Sequence, residues 1–433
     1  MPLPDRIPID QLGEPFYNGS VQRLYAIDGH DGHMVTETTN RGSVFDVGSI
    51  FDIPGSDVSR AVFRHMLYSR MGDPTLWQAV KSSIENATEL DQDYRQQLLS
   101  GILEDLCANG ASTHHGGMID SDTGNIATSG APANASRFNV VRRYQIMKPE
   151  HIECLGAWLY DYSEFSKADG FVVPLEYIVR FGITGASSVF RKYLKMNDAQ
   201  KAAYQQELGA SKPLEAWQLL ERPISDCTTK FEPEDRNISK QEALTLCGLS
   251  GAQFDHSMQL AVLGAWAVRH LLEEAGLLLW DIKWEFAKDG DQLVFVDTID
   301  TDSFRATRFF ERGGKRVVAH FNKQSMRDYY KLMHGDWLDG VNAAKKRSNA
   351  EGTPFTELLA KGQADGTYPK TPEIPEDFLN IQVGKMDAIQ DYMLGRTDAA
   401  AANSALESAG NAELDYYERN GKIDEFVAVN GVG

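Results

Sequence analysis

The segment Leu277-Leu278-Leu279-Trp280-Asp281-Ile282-Lys283-Trp284-Glu285-Phe286 alternates apolar and charged side chains. A strand has a period of two, so Asp281, Lys283 and Glu285 share one face, and Leu278, Trp280, Ile282, Trp284 and Phe286 share the other. Such a strand must bury one face in a core and find partners for the charges on the other. Ala287-Lys288-Asp289-Gly290-Asp291 supplies turn residues, and Leu293-Val294-Phe295-Val296-Asp297 reads as the return strand of a hairpin. A five-residue loop predicts Asp297 on the charged face, opposite Asp281. Alternating charge ordinarily marks a solvated face. Here Asp302-Ser303-Phe304-Arg305 follows directly, adding a hydroxyl and a guanidinium at a sheet end where anions are often held. Carboxylates and an ammonium on one rigid sheet suit a magnesium ion that carries nucleotide phosphates.

The chain has 433 residues, 42% of them apolar and 24% charged, enough for a large core in two lobes without covalent staples. Its formal charge of -19 argues against nucleic acid or an anionic membrane as a partner, since both are bound by clustered Lys and Arg. An anionic small molecule would need a local basic pocket. Cys107, Cys154, Cys227 and Cys247 lack Cys-x-x-Cys spacing, which points to free thiols and a reducing compartment. The start, Met1-Pro2-Leu3-Pro4-Asp5-Arg6, has no signal-peptide pattern and no apolar run is long enough to span a bilayer, so a cytoplasmic location is expected. Self-association is left open.

Val21–Ile27 and Met34–Thr38 read as a hairpin across a Gly- and Asp-rich turn, and residues 56–108 as helices with ordinary apolar packing faces. The small, polar stretch 109–137, including His114-His115, is expected as an inserted loop. Val172–Arg180 reads as a strand in which Glu176 and Arg180 share a face, and Ser257–Ala275 as a buried helix that Gly276 can end. Beyond about residue 341, Pro-rich and Ala-rich stretches predict a tail with one or two helices, docked or partly mobile.

Taken in order, these segments resemble the phosphoribosylaminoimidazole-succinocarboxamide (SAICAR) synthetase family. Gly19-Ser20-Val21-Gln22-Arg23-Leu24-Tyr25 is similar to that family's loop and strand over the ATP phosphates, and Asn40-Arg41-Gly42-Ser43-Val44-Phe45-Asp46 to its Asp-Arg-x-Ser-x-Phe/Tyr-Asp segment. Pro174–Arg180 with Ile183-Thr184-Gly185 resembles its Pro-x-Glu-Val-x-Val-Arg strand and Gly-Ser turn, and Thr228-Thr229-Lys230 its Ser-Thr-Lys substrate loop. The Asp281–Phe286, Val296-Asp297, Asp302–Arg305 and Lys323–Asp328 stretches complete the order.

The resemblance implies an α+β fold of two lobes with ATP in the cleft between them. Residues 1–170 would form an N-terminal antiparallel sheet lobe like a kinase small lobe, 171–340 a larger α/β lobe, and 341–433 a C-terminal helical extension. It also implies ATP-dependent ligation of a nucleotide carboxylate to the amine of aspartate through an acyl phosphate. In that reading Lys230, Lys283 and Asp281 are catalytic, and Glu285 and Asp297 hold Mg2+. Gly19, Ser20, Arg23 and Glu176 contact ATP, while Arg180, Ser187, Asp235, Asp302, Ser303 and Arg305 contact substrate. Four positions depart from the pattern: Ser20 replaces a lysine, Asn40 an acid, Ala186 a serine and Thr298 a glutamate. Arg23 could reach ATP in place of the lysine, and Ser187 or Ser188 could supply the lost hydroxyl. A same-fold ligase with another carboxylate or amine, or a nucleotide-binding pseudoenzyme, are the alternatives. A kinase is disfavoured by the lack of His-Arg-Asp and Asp-Phe-Gly signatures.

Overall fold

The computed structural model describes residues 3–185 and 187–432. Two antiparallel sheets dominate it. The first has six strands in the order Tyr17–Asn18, Gln22–Ala26, His33–Thr38, Phe138–Arg142, His115–Ile119 and Ile126–Ala127. The stretch 109–137 is therefore no inserted loop, because it contributes two of these strands. The stretch carries no alternating pattern; His115–Ile119 is held by backbone pairing to Phe138–Arg142, and Ile126–Ala127 pairs with His115–Ile119 in turn. The turn between them is tied by Asp120, whose carboxylate accepts from the backbone N–H of Thr123 at 2.9 Å and of Asn134 at 2.8 Å.

The second sheet has eight strands, with Leu278–Asp289 at its centre between Leu175–Ile183 and Phe304–Arg312. Its register aligns Arg180 and Arg305 with Asp281 from the two sides. The apolar alternation is interrupted by a bulge between Leu279 and Asp281. An extra residue inverts the parity of a strand. Leu279, Ile282, Trp284 and Phe286 thus join the main core, while Trp280 turns to the other side against Trp217 and Val318. Trp280 was expected on the same face as Trp284, and the bulge is why it is not. Gly182 makes room for it, since a Cβ there would lie 2.5 Å from the indole.

The hairpin is also tighter than a five-residue loop. Both strands continue to Asp289 and Gln292, leaving Gly290 and Asp291 as the turn, with Gly290 at φ 62°. Glu285 then pairs with Val296, so Asp297 falls beside Glu285 and not opposite Asp281.

Helix Gly251–Glu274 begins with a reciprocal Ser250–Gln253 capping box and covers the core face of the large sheet. Helices Pro74–Asn86 and Ile102–Asn109 pack against it through residues such as Trp77, Ile84 and Leu103. These helices precede residue 170 yet share the large sheet's core, because their apolar faces find partners there. The expected boundary at 340/341 falls inside helix Gly335–Glu351. The tail is also more ordered than one or two helices: Phe355–Asp365, Glu376–Met393, Ala399–Arg419 and Ile423–Asn430 follow, and Phe378, Ile389, Leu406 and Tyr417 enter the main core. Among the described residues no helix is long and apolar enough to cross a membrane, and all four cysteines are free thiols.

A buried ion pair, Lys385 to Glu413 at 2.5 Å, locks two tail helices to Ser325 and to the carbonyl of His320. Removing one member of such a pair strands a charge in the core. Lys385→Met should cost roughly 3–5 kcal/mol in denaturant unfolding, and adding Glu413→Leu should recover most of it. An unchanged midpoint for the single variant would show that the tail is not part of the folding core.

Candidate functional site

The centre of the site is the charged face of Leu278–Asp289. Successive side chains on one face are about 7 Å apart, so Glu285 and Asp281 stand about 13 Å apart with Lys283 between them. Each charge is answered from a neighbouring strand. Lys283 pairs with Glu176 and, at 3.2 Å, with Glu285, while Lys230, just past strand Gln218–Thr229, also pairs with Glu285. Glu176 accepts from the Thr228 hydroxyl at 3.1 Å. Asp281 takes Arg305 at 2.6 Å and Arg180 at 3.5 Å, and Arg180 also reaches Asp226 at 3.4 Å.

Glu285 is buried and Asp297 half-buried, and both line the same end of the cleft between the sheets. Burial, followed by the charge of Asp297, pushes Glu285 up to about 7. Burial opposes ionisation of Asp297 too, but Lys230 and Lys283 outweigh it and hold its carboxyl below the ordinary range. The same surroundings thus shift the two carboxyls in opposite directions. Asp297 sits in the left-handed region at φ 72°, and its carbonyl is held there by the Tyr68 hydroxyl at 3.0 Å. The Thr298 hydroxyl donates to Asp297 at 3.4 Å, so this departure from the family pattern adds a donor where a third acid would stand.

Two cavities open along this row. A cleft of about 600 Å³ lies between the sheets, with Gln22, Leu24, Met34 and Thr36 on one wall and Lys230, Glu285 and Asp297 on the other. A second, of about 290 Å³, lies at the Asp281 end, where Arg305 is joined by Thr184, Arg191, His320, Lys331 and Asn430.

The structure does not bring every expected residue to these cavities. Gln22 and Leu24 face the cleft, so period-two geometry turns Arg23 away, onto Glu37 at 3.4 Å, and it cannot stand in for the missing lysine. Gly19 and Ser20 form the hairpin turn, with the Gly19 N–H donating to Gln22, and do not line the cleft. Ser187 caps helix Ser188–Leu194 from a buried position with no partner for its hydroxyl, and Ala186 lies outside the described residues. Asp235 is exposed on its loop, within electrostatic reach of Glu176 and Lys283, and burial raises its carboxyl. Asp302 pairs with Arg60 at 3.2 Å, and the Ser303 hydroxyl is used by the loop itself, donating to Thr298 at 2.6 Å.

Residues the sequence did not single out complete the site. Arg60 and Arg64 bracket the buried Asp300 at 3.2 and 3.1 Å, and Arg64 and His114 line the cleft beside Asp297. Burial holds His114 neutral, at about 4. The available signal was Arg60, Arg64 and Tyr68 at four-residue spacing, a stripe along one side of helix Ser56–Met71.

The SAICAR synthetase family model matches residues 138–344. A protein of Archaeoglobus fulgidus, provisionally named a phosphoribosylaminoimidazole-succinocarboxamide synthase, is 32% identical over 56% of this chain and 67% of its own length. The synthase of that name from Thermoplasma volcanium is 28% identical over 38% of this chain and 54% of its own. A solved SAICAR synthase structure superposes with a TM-score of 0.50 at 18% identity, covering 89% of this chain and 96% of that one, a likeness of fold. The fold and the charged row define a two-lobed α+β protein with an interlobe cleft. The chain belongs to the SAICAR synthetase family.

The raised carboxyl of Glu285 makes a stability prediction. Its folded value, about 7 against an ordinary 4.5, means its contribution is full below about pH 4.5 and is lost as pH rises through about 7. Relative to Glu285→Gln, the wild type should therefore lose stability between about pH 5 and about pH 8, by up to a few kcal/mol. A difference in melting temperature that stays constant across that range would show that Glu285 ionises normally.

Proposed function

We propose that this chain is an ATP-dependent ligase of purine biosynthesis, acting in the cytoplasm. It would join a carboxylate of the 5-amino-4-carboxyimidazole ribotide type to the amine of aspartate through an acyl phosphate. The observation that carries this reading is the continuous row from Glu285 and Asp297 through Lys283 to Asp281 and Arg305, with a cavity at each end. One end suits nucleotide phosphates and the other an anionic substrate, with an ammonium between them where the two would meet.

The cleft has the size of a nucleotide site, with apolar walls from Leu24, Met34, Ile146 and Val172 for a base. Arg64 and Lys230 supply positive charge at its acidic end, which offsets the loss of the lysine at Ser20. Glu285 and Asp297 fit a magnesium ion. They are hard oxygen donors that line the same end of the cleft, and with phosphate oxygens they meet the modest demand of that ion for protein ligands. Bound there, the ion would neutralise charge on the phosphates.

A carboxylate is a poor electrophile at neutral pH. In the proposed reaction its oxygen attacks the γ-phosphorus and ADP leaves; the amine nitrogen then attacks the acyl carbon, the C–O bond breaks with its electron pair going to the departing inorganic phosphate, and the nitrogen gives up one proton to water. Both steps gather negative charge, so what the chain must supply is positioning and fixed countercharge. Lys230 and Lys283 provide the countercharge. Burial lowers the ammonium pKa, but the carboxylates around each lysine more than offset it, and both stay charged. Arg180 and Arg305 present guanidiniums that can fork onto a phosphate or carboxylate once they share Asp281.

ADP release with ATP, carboxyaminoimidazole ribotide and aspartate tests the proposal directly, and silence on that set with turnover on another pair would replace the substrates but keep the chemistry. Glu285→Gln and Asp297→Asn should each lower magnesium-dependent kcat by at least about a hundredfold at unchanged fold. Arg305→Lys should raise KM for the nucleotide carboxylate by roughly tenfold, because an ammonium cannot make a planar two-point contact. Unaltered kinetics in all three variants would reject the assigned roles.

A further inference from the structure

Outside the charged row, the chain builds a small pocket, apolar-walled with a few polar groups, that the mechanism above does not use. It lies between the Asn40–Ser43 turn, the Thr301–Asp302 loop, Lys323 and the tail helix Glu376–Met393, and encloses about 40 Å³. Gln382 from that helix and Thr301 from the loop both line it. Each is about 5% exposed or less, and neither Gln382 Nε2 nor Thr301 Oγ1 has a hydrogen-bond partner. A buried amide donor without an acceptor is costly, and native proteins seldom keep one unless a ligand or water completes it.

The charges around the pocket favour an anion with an amine attached. The Lys323 ammonium lines it, and no carboxylate lies within ion-pair distance of that nitrogen among the described residues. Arg60 stands on the same wall, already holding Asp300 and Asp302. Asp302 also lines the pocket and leaves a carboxylate to which an amine could donate. Apolar walls from Phe321, Met326, Met386 and Ile389 lower the local dielectric, which strengthens any charge-assisted contact made inside. The volume exceeds the roughly 10–15 Å³ that one water needs and suits a single carboxylate group better than a phosphate. Asp302 is also on the loop that leads into Arg305, whose side chain lines the cavity at the Asp281 end of the charged row.

We propose that this pocket takes a carboxylate of the amino-acid substrate, with Gln382 and Lys323 as its donors, so that a residue of the C-terminal helices determines specificity for the amine. This rests on the ligase reading, and the tests separate the two. With the full-length chain, Gln382→Leu should raise KM for aspartate roughly ten- to hundredfold, the loss expected for a hydrogen bond to a charged group, while KM for ATP and for the nucleotide carboxylate stays within about twofold. Its melting temperature should equal or exceed that of the wild type, since an unsatisfied donor has been removed. Gln382→Glu, which sets a like charge against the ligand, should weaken aspartate further. An unchanged KM for aspartate in Gln382→Leu, or an equal rise in all three KM values, would overturn the proposal and leave the pocket to water. Should the wild type turn over no substrate pair, the ligase reading fails by itself. Calorimetric titration with L-aspartate then decides: binding that Gln382→Leu abolishes upholds the pocket, and absent or equal binding overturns it.

Discussion

The structure depends on holding Lys230, Lys283, Glu285 and Asp297 together beside the central strand, with Glu285 buried and the other three half-buried. Isolated charges are not tolerated away from water, so each must have a partner, and those partners come from different strands. Lys230 follows one strand, Glu176 belongs to a second, Glu285 and Lys283 to a third, and Asp297 ends a fourth. The central sheet has to be assembled in one register for the charges to cancel. Burial and these neighbours raise the carboxyl of Glu285 and hold that of Asp297 down.

Around this row the rest of the fold acts as support. The apolar face of the same strand is seated on helix Gly251–Glu274, which fixes the position of Glu285 through Trp284 and Phe286. The Arg60–Arg64–Tyr68 stripe braces the loop from Asp297 to Asp302 from below, using ion pairs to Asp300 and a hydroxyl to the backbone of Val296 and Asp297. The tail helices complete the back of the substrate region, so the C-terminal extension is part of the core and of the cavity walls.

Much of the site was legible because strand periodicity and charge are local properties. The alternation from Asp281 to Glu285 announced a charged face, and Lys230, Glu176, Arg180 and Arg305 all meet it. Where the reading failed, a nonlocal or single-residue event decided. One bulge residue moved Trp280 across the sheet, and a two-residue turn in place of a five-residue loop moved Asp297 from Asp281 to Glu285. The same period-two rule that grouped the acids shows why Arg23 points away, once the cleft is known to be on the side of Gln22 and Leu24. The strands within 109–137 carry only the short apolar pairs Met118-Ile119 and Ile126-Ala127, too brief to show a period, and depend on pairing with strands remote in the chain.

What the amino-acid order by itself determined is the family, the two-sided character of the central strand and most of the charges that line it, since these follow from residue type and spacing along one segment. Tertiary structure alone decided which charges pair, which carboxyl is raised, and that Arg64, His114 and Gln382 line cavities at all. Those outcomes depend on distances between residues remote in the chain and on the exclusion of water, and neither is encoded in any single stretch of sequence.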